Sequence, residues 1–184
     1  LDTLRSIKGN QRACVVTEPL WAIPNNLILP FSSVYMAAIG LSDTQIGLVA
    51  SLGLAAQFIA ALLSGAIVDK HGRRATMLTF GLISWTIPCI LWAAARDLRY
   101  FIFAAALNGL WRITGTSFNC MIVEDGDSDK LVNIYTILNI FGVAAGFISP
   151  AVGLCIKRFA LAPTMRGIYV IATAMMTSKF IIQF

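Results

Sequence analysis

Long apolar runs separated by short polar connections dominate this chain. A helix that crosses the hydrocarbon core of a membrane needs about 20 mainly apolar residues. Six runs are long enough, and because the connections between them are short, neighbouring helices are expected to be antiparallel. The pattern predicts an all-α membrane protein in which residues 1–184 form one six-helix domain. Its predicted spans are residues 13–40, 44–68, 75–95, 98–123, 131–155 and 166–184.

Two of the six runs carry a charge within a polar stripe. Glu18 shares one helix face with Asn25 and Ser32 in the first run, and Arg112 shares a face with Asn108 and Thr116 in the fourth. A charge at the helix centre costs about 2.5–3.5 kcal/mol on insertion scales, so it tends to face a cavity or a partner. We therefore expect Glu18 and Arg112 to line a solute pathway, as a protonatable carboxylate and a fixed positive charge. The alternative is a position at the headgroups, which fits Glu18 better than the deeper Arg112.

Amide and hydroxyl side chains on these helices are candidates for hydrogen-bonding a polar solute. The alternative for each is a hydrogen bond between helices, which is worth about 0.6 kcal/mol per pair in membranes. The predicted substrate-pathway residues are Asn25, Asn26, Asn108, Thr116, Asn119 and Asn139.

The six runs fall into two similar groups of three. The first and fourth hold the polar stripes, the second and fifth are rich in small residues, and the third and sixth are the most apolar. This order is typical of the two inverted three-helix repeats within many transporter halves. We expect the third run to face lipid and Lys179, near the end of the sixth, to extend toward the near membrane surface.

Composition supports a membrane protein and narrows its chemistry. Hydrophobic residues make up 58% of the chain and charged residues 12%, about half the charged fraction of soluble domains. One histidine and four cysteines without metal-ligand spacing predict no metal and no cofactor. The acidic turn at residues 124–129 fails the calcium-loop pattern, because Lys130 stands where a glycine is needed, so we expect a solvated turn. No nucleophile–base or phosphate-binding motif suggests an enzyme.

Basic residues orient the predicted helices. The formal net charge is +5, and in a membrane protein such an excess belongs to cytoplasmic loops rather than to a nucleic-acid partner. We place the N-terminus in the cytoplasm, with a plasma or inner membrane as the expected location. The inner segments then hold Arg5, Lys8, Arg12, Lys70, Arg73, Arg74 and Lys130, and the outer ones hold Arg96, Arg99, Lys157, Arg158 and Arg166.

The turn between the second and third runs reads Gly65-Ala66-Ile67-Val68-Asp69-Lys70-His71-Gly72-Arg73-Arg74. It resembles the signature of the major facilitator superfamily of secondary transporters, which is Gly, three residues, Asp, Arg or Lys, any residue, Gly, Arg, and Arg or Lys. The resemblance implies a gating turn that packs against the other half of the transporter and stabilises the outward-facing state, with Asp69 and Arg73 as gating charges. The matching positions are Gly65, Asp69, Lys70, Gly72, Arg73 and Arg74.

Two further patterns resemble those of the family with one departure each. Arg112 resembles its buried arginine, which is linked to proton transfer in some members, but Gly115 follows after three residues rather than four. The fifth run resembles the glycine-proline motif of the antiporter branch, with Ser149 in the place of a glycine. Both symport and antiport therefore stay open. The residues of that motif are Gly142, Gly146, Pro150 and Gly153.

The resemblance covers the chain but only the first half of a family member, which has twelve helices in two halves. It implies secondary active transport of a small solute by alternating access, with or without proton coupling. Three alternatives stay open: the N-terminal half of a longer transporter, a half-size transporter acting as a dimer, and a non-transporting membrane scaffold or receptor. The expected partners are a small molecule, protons, the lipid bilayer, and a C-terminal six-helix half or a second copy.

Overall fold

The computed structural model describes residues 9–124 and 128–184, and all the regular structure in these ranges is helical. The described helices form six rods, α1 to α6, so the all-helical prediction is confirmed. Arg5, Lys8 and the centre of the acidic turn at residues 124–129 lie outside the described residues.

The first two rods differ in continuity. α1 consists of Gly9–Thr17, Pro19–Ile28 and Ser32–Ala38, with a 3-10 turn at Leu29–Phe31 before the last segment. Proline removes a backbone donor and disturbs the preceding turn, and α1 is broken at Pro19 and around Pro30, while Pro24 lies inside the second segment. α2 runs over Asp43–His71 without a break, and the Ser42 side chain caps its first turn.

The remaining rods also contain breaks. α3 comprises Arg73–Gly81, a π-helical turn and Ile87–Ala93, while α4 comprises Leu98–Gly109 and Trp111–Glu124. The ends of the rods lie within five residues of the predicted runs. The other bounds are Leu82–Thr86 for the π-helical turn, Ser128–Gly146 and Ser149–Phe159 for α5, and Leu161–Gln183 for α6.

Four of the described rods are long and apolar enough to cross a membrane. They are Asp43–His71, Arg73–Ala93, Lys130–Phe159 and Leu161–Gln183, which correspond to α2, α3, α5 and α6. The two rods outside this group, α1 and α4, are those with the polar stripes.

The neighbours of each rod follow a repeated pattern. α2 packs on α4 as α5 packs on α1, and α3 packs on α4 as α6 packs on α1. Glycine allows two of the close approaches: Gly109 of α4 lies against Ala56 of α2, and Gly81 of α3 lies against the ring of Phe180 in α6. At both glycines an added Cβ would overlap its neighbour.

The expectation that the third run faces lipid is not met. In α3 and α6, 33% of the most apolar stretch is buried, against 11% in α2 and α5. The reason is that α3 and α6 pack on each other and on the polar-striped rods. The exposed apolar side chains are instead concentrated on α2 and α5, and include Leu54, Phe58, Leu62, Val132, Val143 and Phe147.

Candidate functional site

Two adjoining cavities lie inside the bundle. The large cavity, of about 620 Å³, lies between α1, α2, α3 and α4, and α6 contributes Tyr169 to its lining. The small cavity, of about 220 Å³, is formed by α1, α3, α4 and α6. Trp21, Trp85 and Trp111 line both cavities, and Trp92 lines the large one, so all four tryptophans of the chain surround this space.

Contacts between aromatic side chains hold the cavity wall in place. The rings of Trp21 and Trp85 meet edge to face, with centroids 5.8 Å apart. Trp92 packs against Tyr169 at 5.5 Å, and the Tyr35 hydroxyl donates a hydrogen bond of 2.8 Å to the Trp92 carbonyl. Such edge-to-face and tilted pairs are favourable geometries for aromatic rings. The wall is therefore apolar, aromatic and built from several rods.

A buried ion pair lies at the small cavity. The Lys179 ammonium donates to Glu18 Oε2 at 2.8 Å, and the two side chains are only 5% and 11% exposed. Lys179 Nζ also lies 4.8 Å from the ring centroid of Phe118 and 5.7 Å from that of Trp21. Distances below about 6 Å permit cation–π attraction. A carboxylate and two aromatic rings therefore surround this ammonium.

The local structure explains why Glu18 can face inward. Glu18 stands at the break between the first two segments of α1, directly before Pro19. Next to the pair, the buried amide of Gln183 donates to the Thr17 hydroxyl at 2.8 Å. These two contacts join α1 and α6 with polar side chains that are shielded from the surroundings.

The expectation that Lys179 extends to the membrane surface is not met. The residue is only 4% exposed and is held by Glu18. A signal for this pair was present in the sequence. Glu18 is the sixth residue of the first predicted run, and Lys179 is the sixth residue from the end of the last run. In a six-helix bundle those two chain ends lie on the same membrane face, so the two charges are at matched depth.

The two predicted pathway charges, Glu18 and Arg112, are not paired with each other. Arg112 is exposed, and its guanidinium stacks over the ring of the adjacent Trp111, with 4.4 Å between Cζ and the ring centroid. Since Trp111 lines both cavities, Arg112 lies next to the wall of the cavities and its side chain is exposed.

Asn108 has a structural role in addition to its place in the wall of the large cavity. Its amide donates to the Ser84 carbonyl at 2.8 Å. In a regular helix the residue four positions later would donate to that carbonyl, but this residue is Pro88, which has no N–H. Asn108 of α4 therefore supplies the hydrogen bond that a proline removes from α3.

The other predicted pathway residues divide between cavities and helix contacts. Asn25 lines the large cavity and Asn119 the small one. Asn26 donates to carbonyls at 2.8 and 3.4 Å, the second of them on Gly142 of α5, and Thr116 donates to the Ser64 hydroxyl of α2 at 3.0 Å. Asn139 is exposed. The cavities thus bring together only part of the predicted set.

The signature turn is anchored on one side and exposed on the other. Gly72 ends α2 with a φ of +79°, which favours glycine. Ser117 of α4 donates to the Arg73 carbonyl at 2.6 Å, and the Arg74 guanidinium donates to Asn10 Oδ1 at 2.9 and 2.6 Å. Gly65, Asp69 and Lys70 are exposed, and a Cβ added at Gly65 would meet nothing within 4 Å.

The residues available for metal binding or redox chemistry are few. Over residues 9–124 and 128–184, no group of three His, Cys, Asp or Glu side chains is placed to hold a metal ion. Cys14, Cys89, Cys120 and Cys155 form no disulfide within the described residues, and the first two of them are buried. The chemistry of the described site is therefore that of one ion pair, amides and aromatic rings.

Comparison with known proteins places this architecture in a family. The family model described as Major Facilitator Superfamily matches residues 21–178. Over 166 residues the chain is 28% identical to an uncharacterised MFS-type transporter, YqjV of Bacillus subtilis, with 84% of this chain and 39% of the relative covered. It is 25% identical to the multi-drug resistance efflux pump PmrA of Streptococcus pneumoniae (79% and 37% covered) and 27% identical to the multidrug resistance protein MdtG of Yersinia enterocolitica (85% and 38% covered). The chain thus spans less than two fifths of the length of these relatives.

Proposed function

Because the chain belongs to the Major Facilitator Superfamily, we propose that it forms the N-terminal half of a secondary transporter that moves a lipophilic organic solute by alternating access. The family consists of membrane transporters, not enzymes, so the chain is part of an integral, multi-pass membrane protein. Two relatives are named for multidrug efflux or resistance, and this supports a lipophilic solute as the substrate class.

One observation carries the proposal, namely the two adjoining cavities with their shared tryptophan wall. Binding sites for organic molecules are mostly apolar clefts with a few polar groups that fix orientation. The large cavity supplies apolar and aromatic area together with Asn25 and Asn108, and the small cavity supplies Asn119 and the ion pair. We assign the large cavity to the body of the solute and the small cavity to its recognition.

We further propose that all six rods cross the membrane as two inverted three-helix repeats. α1 extends over residues 9–38 and α4 over residues 98–124, which gives each a length of about 40 Å when extended as a helix, against about 30 Å of hydrocarbon. The repeated pattern of neighbours supports the repeats. The basic residues support a cytoplasmic N-terminus.

We propose a C-terminal six-helix half as the partner that the signature turn closes against. The exposed positions of Gly65, Asp69 and Lys70 leave that face of the turn available. A second copy of the chain would be the partner in a half-size transporter. Intact mass under denaturing conditions separates the two arrangements, because a mass near the 19.9 kDa of this chain would exclude a covalently continuous second half.

We propose proton coupling through Glu18, with Arg112 as a fixed positive charge beside the wall. The support is a carboxylate buried within a cavity lining. Protonation of Glu18 would release Lys179 from its partner and change the charge at the small cavity, so one proton could alter a contact between α1 and α6.

Flux into proteoliposomes tests both parts of this proposal. We expect the wild-type protein to accumulate an uncharged aromatic dye, N-phenylnaphthylamine, and to do so faster with a pH gradient. In Glu18→Gln and Arg112→Ala the gradient should lose its effect, whereas Lys157→Ala, which removes an exposed charge on α5, should behave as wild type. Absence of flux in the folded wild-type protein with both halves of the transporter present would favour a scaffold. Unchanged gradient dependence in both charge variants would remove them from the coupling mechanism.

A further inference from the structure

The surroundings of Lys179 indicate a role for the ion pair beyond linking α1 and α6. The ammonium has a carboxylate oxygen at 2.8 Å and two aromatic rings within 6 Å. This is the combination that recognises an organic ammonium ion, since the acid supplies charge and the ring faces supply cation–π attraction. The group in that position here is a side chain of the protein itself.

The surroundings of Lys179 are also connected to the proposed solute space. Glu18, Trp21, Phe118 and Lys179 all line the small cavity, and Trp21 lines the large cavity as well. A solute in the large cavity therefore lies next to a wall that continues to the ion pair. The ion pair lies within reach of the substrate region, in contrast to a pair buried in a sealed helix contact.

We propose that Lys179 is the resident cation of an acidic, aromatic site at the end of the solute cavity, so that the wild-type site excludes organic cations and accepts uncharged aromatic solutes. This inference rests on the proposed function, because it names the substrate class of the same cavity. The positive charge of Lys179 neutralises Glu18 and lies over the rings of Phe118 and Trp21. An incoming cation at this position therefore finds neither an unpaired carboxylate nor the two ring faces beside it. The remaining wall is apolar and aromatic, which suits an uncharged ring system.

Removal of Lys179 should convert this position into a binding site for an added cation. Lys179→Ala deletes Cγ, Cδ, Cε and Nζ, which are the heavy atoms of n-propylammonium. We expect n-propylammonium to bind Lys179→Ala at least about 10-fold more tightly than wild type. A ligand that binds only the folded state raises its apparent stability, so binding should also raise the melting temperature of this variant in detergent. Tryptophan fluorescence gives a second readout, because all four tryptophans surround the cavities.

Three comparisons give the experiment its specificity. n-Propanol, which has the same chain length without the charge, should not reproduce the effect on Lys179→Ala. The double variant Glu18→Gln/Lys179→Ala should lose the gain, because the attracting carboxylate is gone. Lys157→Ala removes an exposed positive charge that lines neither cavity and should bind n-propylammonium as weakly as wild type. Equal affinity of wild type and Lys179→Ala, or equal stabilisation by propanol, would overturn the proposal.

A second variant covers the case in which Lys179→Ala does not fold. Lys179→Ser carries no charge and keeps a polar side chain, but it vacates the positions of Cδ, Cε and Nζ, which are the heavy atoms of ethylammonium. We expect this variant to bind ethylammonium more tightly than wild type does, and an unchanged affinity would contradict the proposal. These are binding measurements without flux. If the predicted binding pattern is observed but transport fails, the result counts against the proposed function alone. If the uncharged dye is transported but cation binding is unchanged in the variants, the result counts against this inference alone.

Discussion

The halves α1–α3 and α4–α6 of the chain share an order of helix types but place the charges of their polar stripes differently. In the first half, Glu18 is 8% exposed and is paired with Lys179 of the second half. In the second half, Arg112 is exposed and stacks on its own neighbour, Trp111. The same kind of polar stripe therefore gives a buried contact across the two halves in one case and an exposed charge in the other.

The turn between α2 and α3 and the turn between α5 and α6 have the same backbone conformation but different residues. Gly72, between α2 and α3, has φ 79° and ψ 157°, and Ala160, between α5 and α6, has φ 65° and ψ 167°. This region of conformational space is essentially restricted to glycine. The two turns thus share a backbone shape, but only the first has the residue that adopts it without strain.

The largest predicted effect comes from breaking the buried pair. We expect Lys179→Met to lower the free energy of unfolding by about 3–5 kcal/mol, because it leaves Glu18 charged and buried without its partner. Arg112→Met should change it by no more than about 0.5 kcal/mol, as is usual for exposed positions. Thermal unfolding in detergent, followed by circular dichroism, measures both.

A double variant separates the pair from simple packing. Glu18→Gln/Lys179→Met removes both charges, so most of the lost stability should return. If the double variant is as unstable as Lys179→Met, the contribution of Lys179 is packing of its aliphatic chain and the charges matter little.

The next effect compares a glycine at a helix crossing with a glycine of the signature turn. A Cβ on Gly109 would meet the Ala56 side chain and would lie 2.9 Å from the Gln57 backbone nitrogen, whereas a Cβ on Gly65 would meet nothing within 4 Å. Backbone cannot move aside as a side-chain tip can, so Gly109→Ala should cost about 1–3 kcal/mol. Gly65→Ala should be neutral or slightly stabilising, because alanine is favoured over glycine inside helices.

Transport activity adds a further contrast between these two variants. If Gly65 serves the surface that meets the other half of the transporter, Gly65→Ala should lower dye flux in proteoliposomes at unchanged melting temperature. Normal flux in that variant would show that the added methyl group is tolerated at the proposed closing surface.

The six helices could be predicted from the sequence, and their burial could not. Each run is long and apolar, and the rods of the structure end within five residues of the predicted runs. In a lipid environment, however, both the lipid-facing and the protein-facing sides of a helix are apolar, so hydrophobicity does not identify the packed side. The sequence therefore predicts that the third run faces lipid, although α3 packs on α4 and α6 and has a lower mean hydropathy than α2 and α5.

The candidate site was likewise only partly predictable from the sequence. The rule that intramembrane charges seek partners selected Glu18, but the choice of partner depends on helix rotation, and Lys179 is 161 positions away. Likewise, Pro88 indicates from the sequence that the Ser84 carbonyl lacks its usual helical donor. That Asn108 of α4 supplies the donor is known only from the packing of the helices. Long-range pairing was the missing information in both cases.

The smallest predicted effect tests the agreement of the two turns. Ala160→Gly should raise the free energy of unfolding by about 1 kcal/mol, because relief of backbone strain at the positive φ exceeds the entropy that glycine adds to the unfolded chain. Gly72→Ala should lower it by a similar amount for the reverse reason. Chemical denaturation of both variants, with Gly65→Ala as a glycine control inside α2, measures the two changes. Equal and opposite shifts would indicate that both halves impose the same turn conformation, whereas no gain from Ala160→Gly would mean that the second turn relaxes around its alanine.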